Sequence, residues 1–101
     1  MLDIFMSGSI IIICNKVKMP GYNTDITHKG TNFHVQTQDK GLSAHYVESI
    51  IYKCGRVLAS RRTFYTSFLN NWDIKKKINQ IIKEQHETIL KEVSTGKFDH
   101  L

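Results

Sequence analysis

Two dipeptides that end in glycine, Lys29-Gly30 and Cys54-Gly55, constrain the fold of this chain more than any other feature of its sequence. Each one interrupts a stretch in which apolar and polar residues alternate, which is typical of strands that bury one face. A glycine in a two-residue loop supplies the positive φ angle that a tight hairpin turn requires. The sequence therefore predicts two β-hairpins.

The first turn also predicts the register of its hairpin. If Lys29 and Gly30 are the whole loop, Ile26 faces Phe33 on one side of the sheet. Because a shift of one residue would reverse the two faces, a clean separation of apolar from polar side chains supports this register. The polar face then contains Asn23, Asp25, Thr27, Asn32, His34, Gln36 and Gln38.

The second turn predicts a hairpin in which Glu48 faces Arg61. A cross-strand pair of opposite charges contributes about 0.2 to 1 kcal/mol, which supports this register. The other side of the hairpin is mixed, because Val47 would face Arg62. We expect one side to lie on the core and the other to be partly covered, by a second copy of the chain or by the amino-terminal segment.

Beyond residue 65 the spacing of apolar residues changes from that of a strand to that of a helix. One stripe of the helix would carry Ile74, Ile78, Ile81, Ile82, Ile89 and Val93. Asn70 and Asn71 are candidates to cap its first turn. Gly96 stands where a helix often ends, and Phe98 can fold back onto the last turn. These features predict one helix over residues 72–95.

Together these elements predict an α+β fold in which a four-stranded antiparallel sheet of two hairpins is covered on one face by one long C-terminal helix. A chain of 101 residues buries one core, so we expect a single domain over residues 19–101. Residues 1–18 are predicted to be a non-native extension upstream of a start at Met19, or an additional edge strand. Their apolar run is much shorter than the roughly 20 residues of a membrane-spanning helix, so no membrane anchor is expected.

The composition narrows the class of protein without identifying its function. The 14 lysines and arginines exceed the 9 aspartates and glutamates, and the net charge of +5 favours an anionic partner only weakly. Cys14 and Cys54 are isolated and lack the spacing of a zinc site, as in a reduced cytoplasmic protein. We therefore expect a cytoplasmic protein without a metal or another cofactor.

Asp25 and His34 form the first candidate site, because the register places them opposite one another on the polar face. A carboxylate in that position can orient an imidazole, as it does in general-base pairs and behind metal ligands. His28 lies on the opposite face, so the hairpin supplies no third ligand. We interpret the pair mainly as a solvated cross-strand contact, with a catalytic or metal-binding role as the alternative.

Motifs of known enzymes give little support to an activity. The segment EQHE at residues 84–87 does not carry the second histidine of a zinc-protease helix, since Ile82 and Leu90 occupy the required positions. No GxSxG motif or glycine-rich phosphate loop is present in the sequence. We lean against an enzyme and expect Gln85 and His86 to pack at the margin between helix and sheet.

Basic residues near aromatic ones form the second candidate site, which would bind nucleic acid. They are Arg56, Arg61 and Arg62 in the second hairpin, and Lys75, Lys76 and Lys77 at the start of the helix. Basic side chains contact phosphates, and exposed aromatic rings stack on bases. The alternative is that Arg61 pairs with Glu48, the aromatic rings close the core and the lysines are solvated.

Four segments together resemble a small bacterial domain of unknown function: HKG at residues 28–30, FHVQTQDKG at 33–41, YKCGRVLASRRTFY at 52–65 and EQHETILKEVSTGKFD at 84–99. The resemblance covers about residues 22–99. It implies a bacterial cytoplasmic protein, and it carries no catalytic or binding residue over to this chain.

The sequence favours a non-enzymatic module that binds a protein partner or itself through the polar sheet face or an exposed edge strand, because unpaired edge strands accept further strands. A nucleic-acid-binding module that uses the basic residues is the alternative. A hydrolase or metal enzyme centred on Asp25 and His34 is the third hypothesis.

Overall fold

The computed structural model describes residues 21–101, which form one antiparallel sheet and one long helix. The strands are β1 (Gly21–His28), β2 (Thr31–Asp39), β3 (Tyr46–Lys53) and β4 (Arg56–Phe64), in the order β1-β2-β3-β4. A 3-10 turn over Thr66–Phe68 leads to the helix α1 (Ile74–Ser94), which packs on one face of the sheet. The predicted α+β fold is confirmed, and the extension predicted at residues 1–18 lies outside the described residues.

The first hairpin has the predicted register. Lys29 and Gly30 both have positive φ angles, 52° and 79°, as a two-residue type I′ turn requires. Ile26 pairs with Phe33, and Phe33 is buried beneath α1. Asp25, on the opposite face, is exposed. The turn thus determines which side chains of β1 and β2 face the helix.

The second hairpin has the predicted turn. Cys54 and Gly55 have positive φ angles of 51° and 84°, and Tyr52 pairs with Val57. In the two turns Lys29 and Cys54 adopt the left-handed conformation. The glycine that follows each of them adopts it without strain. Beyond the first pairs, however, the register of this hairpin changes.

A β-bulge at Leu58 displaces the rest of β4 by one residue. The predicted pairings of Glu48 with Arg61 and of Val47 with Arg62 are therefore wrong. Glu48 pairs with Arg62, and Val47 pairs with Thr63. Since neighbouring residues of a strand point to opposite faces, the displacement turns Arg61 towards the helix and Arg62 away from it. The mixed side of the hairpin, which carries Val47, is the side that lies on the core.

Two apolar clusters fill the space between sheet and helix. The first contains Phe33, Val35, Ile51, Ile89, Val93 and Phe98. The second lies nearer the start of α1 and contains Val47, Tyr65, Ile78 and Ile82. The predicted apolar stripe of the helix is thus its buried side. No helix in residues 21–101 combines the length and the apolar character needed to cross a membrane.

The ends of α1 differ in how well the sequence predicts them. The N-cap is Asp73, not Asn70 or Asn71, and it makes no side-chain capping hydrogen bond. At the other end Gly96 has a φ of 91°, and the chain turns back so that Phe98 is buried. This is the glycine-terminated helix end that the sequence predicts.

A polar cluster separates the two apolar clusters. His86 of α1 is 4% exposed, and its Nε2 and Nδ1 atoms each lie 2.8 Å from a hydroxyl oxygen, those of Thr24 and Thr37. The Thr37 hydroxyl lies 2.6 Å from the Ser49 hydroxyl, which accepts a hydrogen bond from the amide of Gln85. Because a neutral imidazole donates through one nitrogen and accepts through the other, both threonines satisfy it.

Gln85 extends the polar cluster to the last strand. Its Oε1 accepts a hydrogen bond from the Thr63 hydroxyl, and its amide nitrogen also lies 3.3 Å from the carbonyl oxygen of Arg61. Each of the four strands therefore bonds to one of two adjacent helical residues. Gln85 and His86 lie inside the interface between sheet and helix, rather than at its margin as predicted.

The stability of the protein should depend on the protonation of His86. Burial, with a smaller contribution from His34, lowers the pKa of His86 from 6.5 to about 4. The unfolded chain therefore takes up this proton near pH 6.5, whereas the folded chain resists it until near pH 4. Stability is complete above pH 6.5, and the free energy of unfolding should decrease by about 2 kcal/mol between pH 7 and pH 5. Urea denaturation at both pH values measures the change.

The controls for this prediction are two variants. His86→Gln keeps a donor and an acceptor but does not titrate, so its unfolding free energy should vary less between the two pH values than that of the wild type. His100→Gln removes an exposed histidine and should retain the wild-type dependence. An unchanged pH dependence in His86→Gln would contradict the assignment.

Candidate functional site

The face of the sheet opposite α1 is uncovered by any part of the chain that the structure describes. Its β1–β2 half is polar, as predicted from the register of the first hairpin. Its β3–β4 half carries aromatic and aliphatic side chains on both sides of the charged pair Glu48 and Arg62. We call the large apolar side chains of that half the apolar band, which consists of Tyr46, Ile50, Tyr52, Val57 and Phe64.

The polar half contains the predicted pair of Asp25 and His34. The Asp25 carboxylate lies 2.6 Å from Nδ1 of His34, and the side-chain oxygen of Asn23 lies 3.2 Å from Nε2. The ring centroid of Tyr52 is 5.7 Å from that of the imidazole. Because the Asp25 side chain is 70% exposed, the pair is solvated. The sequence thus located this pair correctly, and its role stays a prediction.

A shallow depression of about 410 Å³ lies beside the pair, lined by Asp25, Asn32, Phe33, His34, Gln36, Tyr52 and Gly55. On the uncovered face its walls offer hydrogen-bonding groups beside the Tyr52 ring, which suits contact with a protein side chain. Among residues 21–101, no three His, Cys, Asp or Glu side chains are arranged to hold a metal ion.

The apolar band exposes more apolar surface than the rest of this face. Val57 is 66% exposed and Phe64 is 59% exposed. The ring centroids of Tyr46 and Phe64 are 5.0 Å apart, and the guanidinium of Arg62 lies 4.6 Å from the centre of the Tyr46 ring. Tyr46, Phe64 and Arg62 therefore form one exposed patch at this end of the hairpin, and exposed apolar patches rimmed by polar residues mark interaction surfaces in soluble proteins.

The structure places the predicted basic residues of the second hairpin on opposite faces. Arg61, on the helix side, donates two hydrogen bonds to the Glu92 carboxylate at 2.8 and 3.2 Å, and these bonds lower the pKa of Glu92. Arg62, on the uncovered face, donates to Glu48 at 3.1 Å. Arg56 is exposed at the start of β4. These three arginines therefore do not form one continuous group.

The predicted lysines lie at the start of α1. Lys75 and Lys76 are exposed, whereas the ammonium of Lys77 lies 5.3 Å from the centre of the Phe68 ring. Trp72, just before this run, is 95% exposed. It is therefore not one of the aromatic rings that close the core.

The apolar band is a feature that the sequence did not predict. Without the bulge, Phe64 would share a face with Leu58 and Arg62 on the helix side of β4. No glycine or proline in residues 57–59 marks the bulge. The feature of the sequence that indicates the bulge is Glu92 in the helix, because it can pair with Arg61 only if Arg61 faces the helix.

No protein-family model, no curated protein and no solved structure matches the chain. The resemblance to a bacterial domain of unknown function stays a prediction, and the uncovered face is the basis for a proposed function.

The bulge predicts which acid is coupled to each arginine. Double-mutant cycles on the free energy of unfolding should give about 0.5 to 1 kcal/mol for Arg61 with Glu92, since this pair is bidentate and half-buried. The coupling of Arg61 with Glu48 should be close to zero. A measurable coupling of Arg61 with Glu48, and none with Glu92, would show that β4 lacks the bulge.

Proposed function

We propose that this protein is a non-enzymatic interaction module that binds a protein surface through the uncovered face of its sheet. The observation that supports it best is the exposure of Phe64 beside Tyr46 and Arg62 on a regular sheet face. Protein interfaces are enriched in aromatic residues and arginine, which supply most of the binding energy when a partner excludes water from them.

The apolar band is suited to binding because its strands are held rigidly from behind. Val47, Ser49 and Ile51 of β3 alternate with band residues and are buried against α1. A partner therefore meets side chains whose backbone is already ordered, and binding costs little conformational entropy. The polar half of the face then serves as a rim that can form hydrogen bonds.

Site-specific photo-crosslinking tests this function. A photoreactive phenylalanine analogue at position 64 should form covalent adducts with a protein in the cells that naturally make this chain. The same analogue at Glu87, on the exposed side of α1, is the matched control and should give several-fold fewer adducts. Equal yields at the two positions, or no adduct at position 64, would count against the proposal.

A second candidate function, the binding of single-stranded nucleic acid, is favoured by a separate observation. Trp72 is almost fully exposed and is followed by the exposed Lys75 and Lys76. A ring available for base stacking beside cations is the chemistry of single-strand binders. Lysines at the start of a helix also oppose its dipole, which is consistent with an electrostatic role.

Titration with an oligothymidine at low salt tests the second candidate. Binding should quench the fluorescence of Trp72, the only tryptophan of the chain, and should weaken as salt is added. Replacing Lys75 and Lys76 by glutamine should reduce the slope of log K against log salt by about 1.4, since each contact to a single strand contributes about 0.7. Phe64→Ser is the matched control and should bind as the wild type does. An unquenched protein at low salt would exclude this function.

A further inference from the structure

We infer that the partner on the apolar band is a second copy of this chain, packed face to face; this inference rests on the proposed function. Two features of the uncovered face support it. Apolar cross-strand pairs lie at both ends of the β3–β4 hairpin, and the charged side chains of the face form ion pairs with one another within one chain. The first feature lets apolar pairs of two copies meet, and the second removes the charge repulsion between them.

The arrangement of the band fits a two-fold axis. Tyr46 pairs with Phe64 at one end of the hairpin, and Tyr52 pairs with Val57 at the other. The axis would run parallel to the plane of the sheet and across the strands, midway between these two pairs. It would place the Tyr46–Phe64 pair of one copy on the Tyr52–Val57 pair of the second copy. In such an isologous contact every residue is used twice, so one apolar band satisfies both copies.

Two central rows lie between these end pairs. The row of Glu48 and Arg62 in one copy would meet the row of Ile50 and Ser60 in the other. Because this axis places β3 on β3 and β4 on β4, Arg62 would meet Ser60, whose hydroxyl can accept a hydrogen bond from the guanidinium, and Glu48 would lie over Ile50 while still paired with Arg62 of its own chain. No charge of one copy would face a like charge of the other at the centre.

The charge of the face also permits two copies to approach despite the net charge of +5 on each. Asp25 lies against His34, and Glu48 lies between Arg62 and Lys40 at 3.1 and 3.9 Å. The face therefore carries no large surplus of positive charge. Exposed lysines instead lie on the outer side of α1, at Lys75, Lys76, Lys83 and Lys91.

The size of the face limits what a dimer could bury. Four strands about 4.8 Å apart and about eight residues long, at about 3.3 Å per residue, cover about 500 Å² in projection. A standard protein interface buries roughly 800 Å² of accessible surface on each partner. A dimer would therefore use nearly the whole face, and its interface would lie at the small end of the range for specific complexes.

Sedimentation equilibrium over a concentration series tests the inference on the full chain. The wild type should dimerise, and Ile50→Glu should raise the dimer dissociation constant at least tenfold, because it places a second carboxylate opposite Glu48 of the other copy. Phe64→Lys provides a second variant at a site that is exposed in the monomer. Thr88→Lys, on the exposed side of α1, is the matched control and should dimerise as the wild type does.

Cysteine crosslinking tests the geometry of the dimer. In a chain with Cys14→Ser and Cys54→Ser, Ser60→Cys should be joined to a second copy by a short bismaleimide. Thr88→Cys should remain monomeric under the same conditions. Crosslinking at position 88 but not at 60 would overturn the face-to-face arrangement.

The two proposals fail in different ways. A protein that stays monomeric at all concentrations, but forms photo-adducts with another protein at position 64, would overturn self-association and retain the interaction module. A monomer that forms no adduct at position 64 would overturn both. A dimer that is insensitive to Ile50→Glu and Phe64→Lys would show that another surface holds the copies together.

Discussion

The hydrogen bonds that His86 and Gln85 make to the sheet reinforce, at every strand, the choice of which side meets the helix. Each strand contributes one polar residue at this level, namely Thr24, Thr37, Ser49 and Thr63. A one-residue shift of any strand would remove its hydroxyl from the interface. It would also leave an imidazole or amide group buried without a partner, at a cost of about 1 to 3 kcal/mol. The polar cluster therefore selects the register even where the apolar pattern is weak.

This selection matters most on β4, whose apolar pattern alone does not distinguish its two faces. The bulge at Leu58 brings Thr63 to Gln85 and Arg61 to Glu92, so β4 forms its polar contacts with the helix only when the bulge is present. The same displacement turns Phe64 to the uncovered face, beside Tyr46. Contacts inside the protein and the exposure of the apolar band are thus two consequences of one extra residue in a strand.

The difference between the two hairpins shows what a sequence of this kind can predict. The register of β1 and β2 follows from a turn and a pattern that lie within 20 residues, so Asp25 and His34 were correctly placed opposite one another. The register of β4 depends on Glu92, which is 31 positions from Arg61. Such a contact exists only after the helix has packed. The helix itself was predicted within two residues at each end because its apolar spacing and its terminal glycine are local signals.

The proposed self-association would be held by few side chains, and this limits its strength. Complete burial of an aliphatic or aromatic side chain contributes about 1.5 to 3 kcal/mol. Val57 and Phe64 from two copies would together contribute about 6 to 12 kcal/mol, reduced because each is already partly buried in the monomer. The loss of translational and rotational freedom on association costs about 4 to 15 kcal/mol. The exposed side chains therefore offset a cost of similar size, and the half-buried Tyr46, Ile50 and Tyr52 have to supply the net free energy of association. The dimer should therefore dissociate on dilution, because the monomer already has its own core beneath α1 and does not need the second copy to bury it.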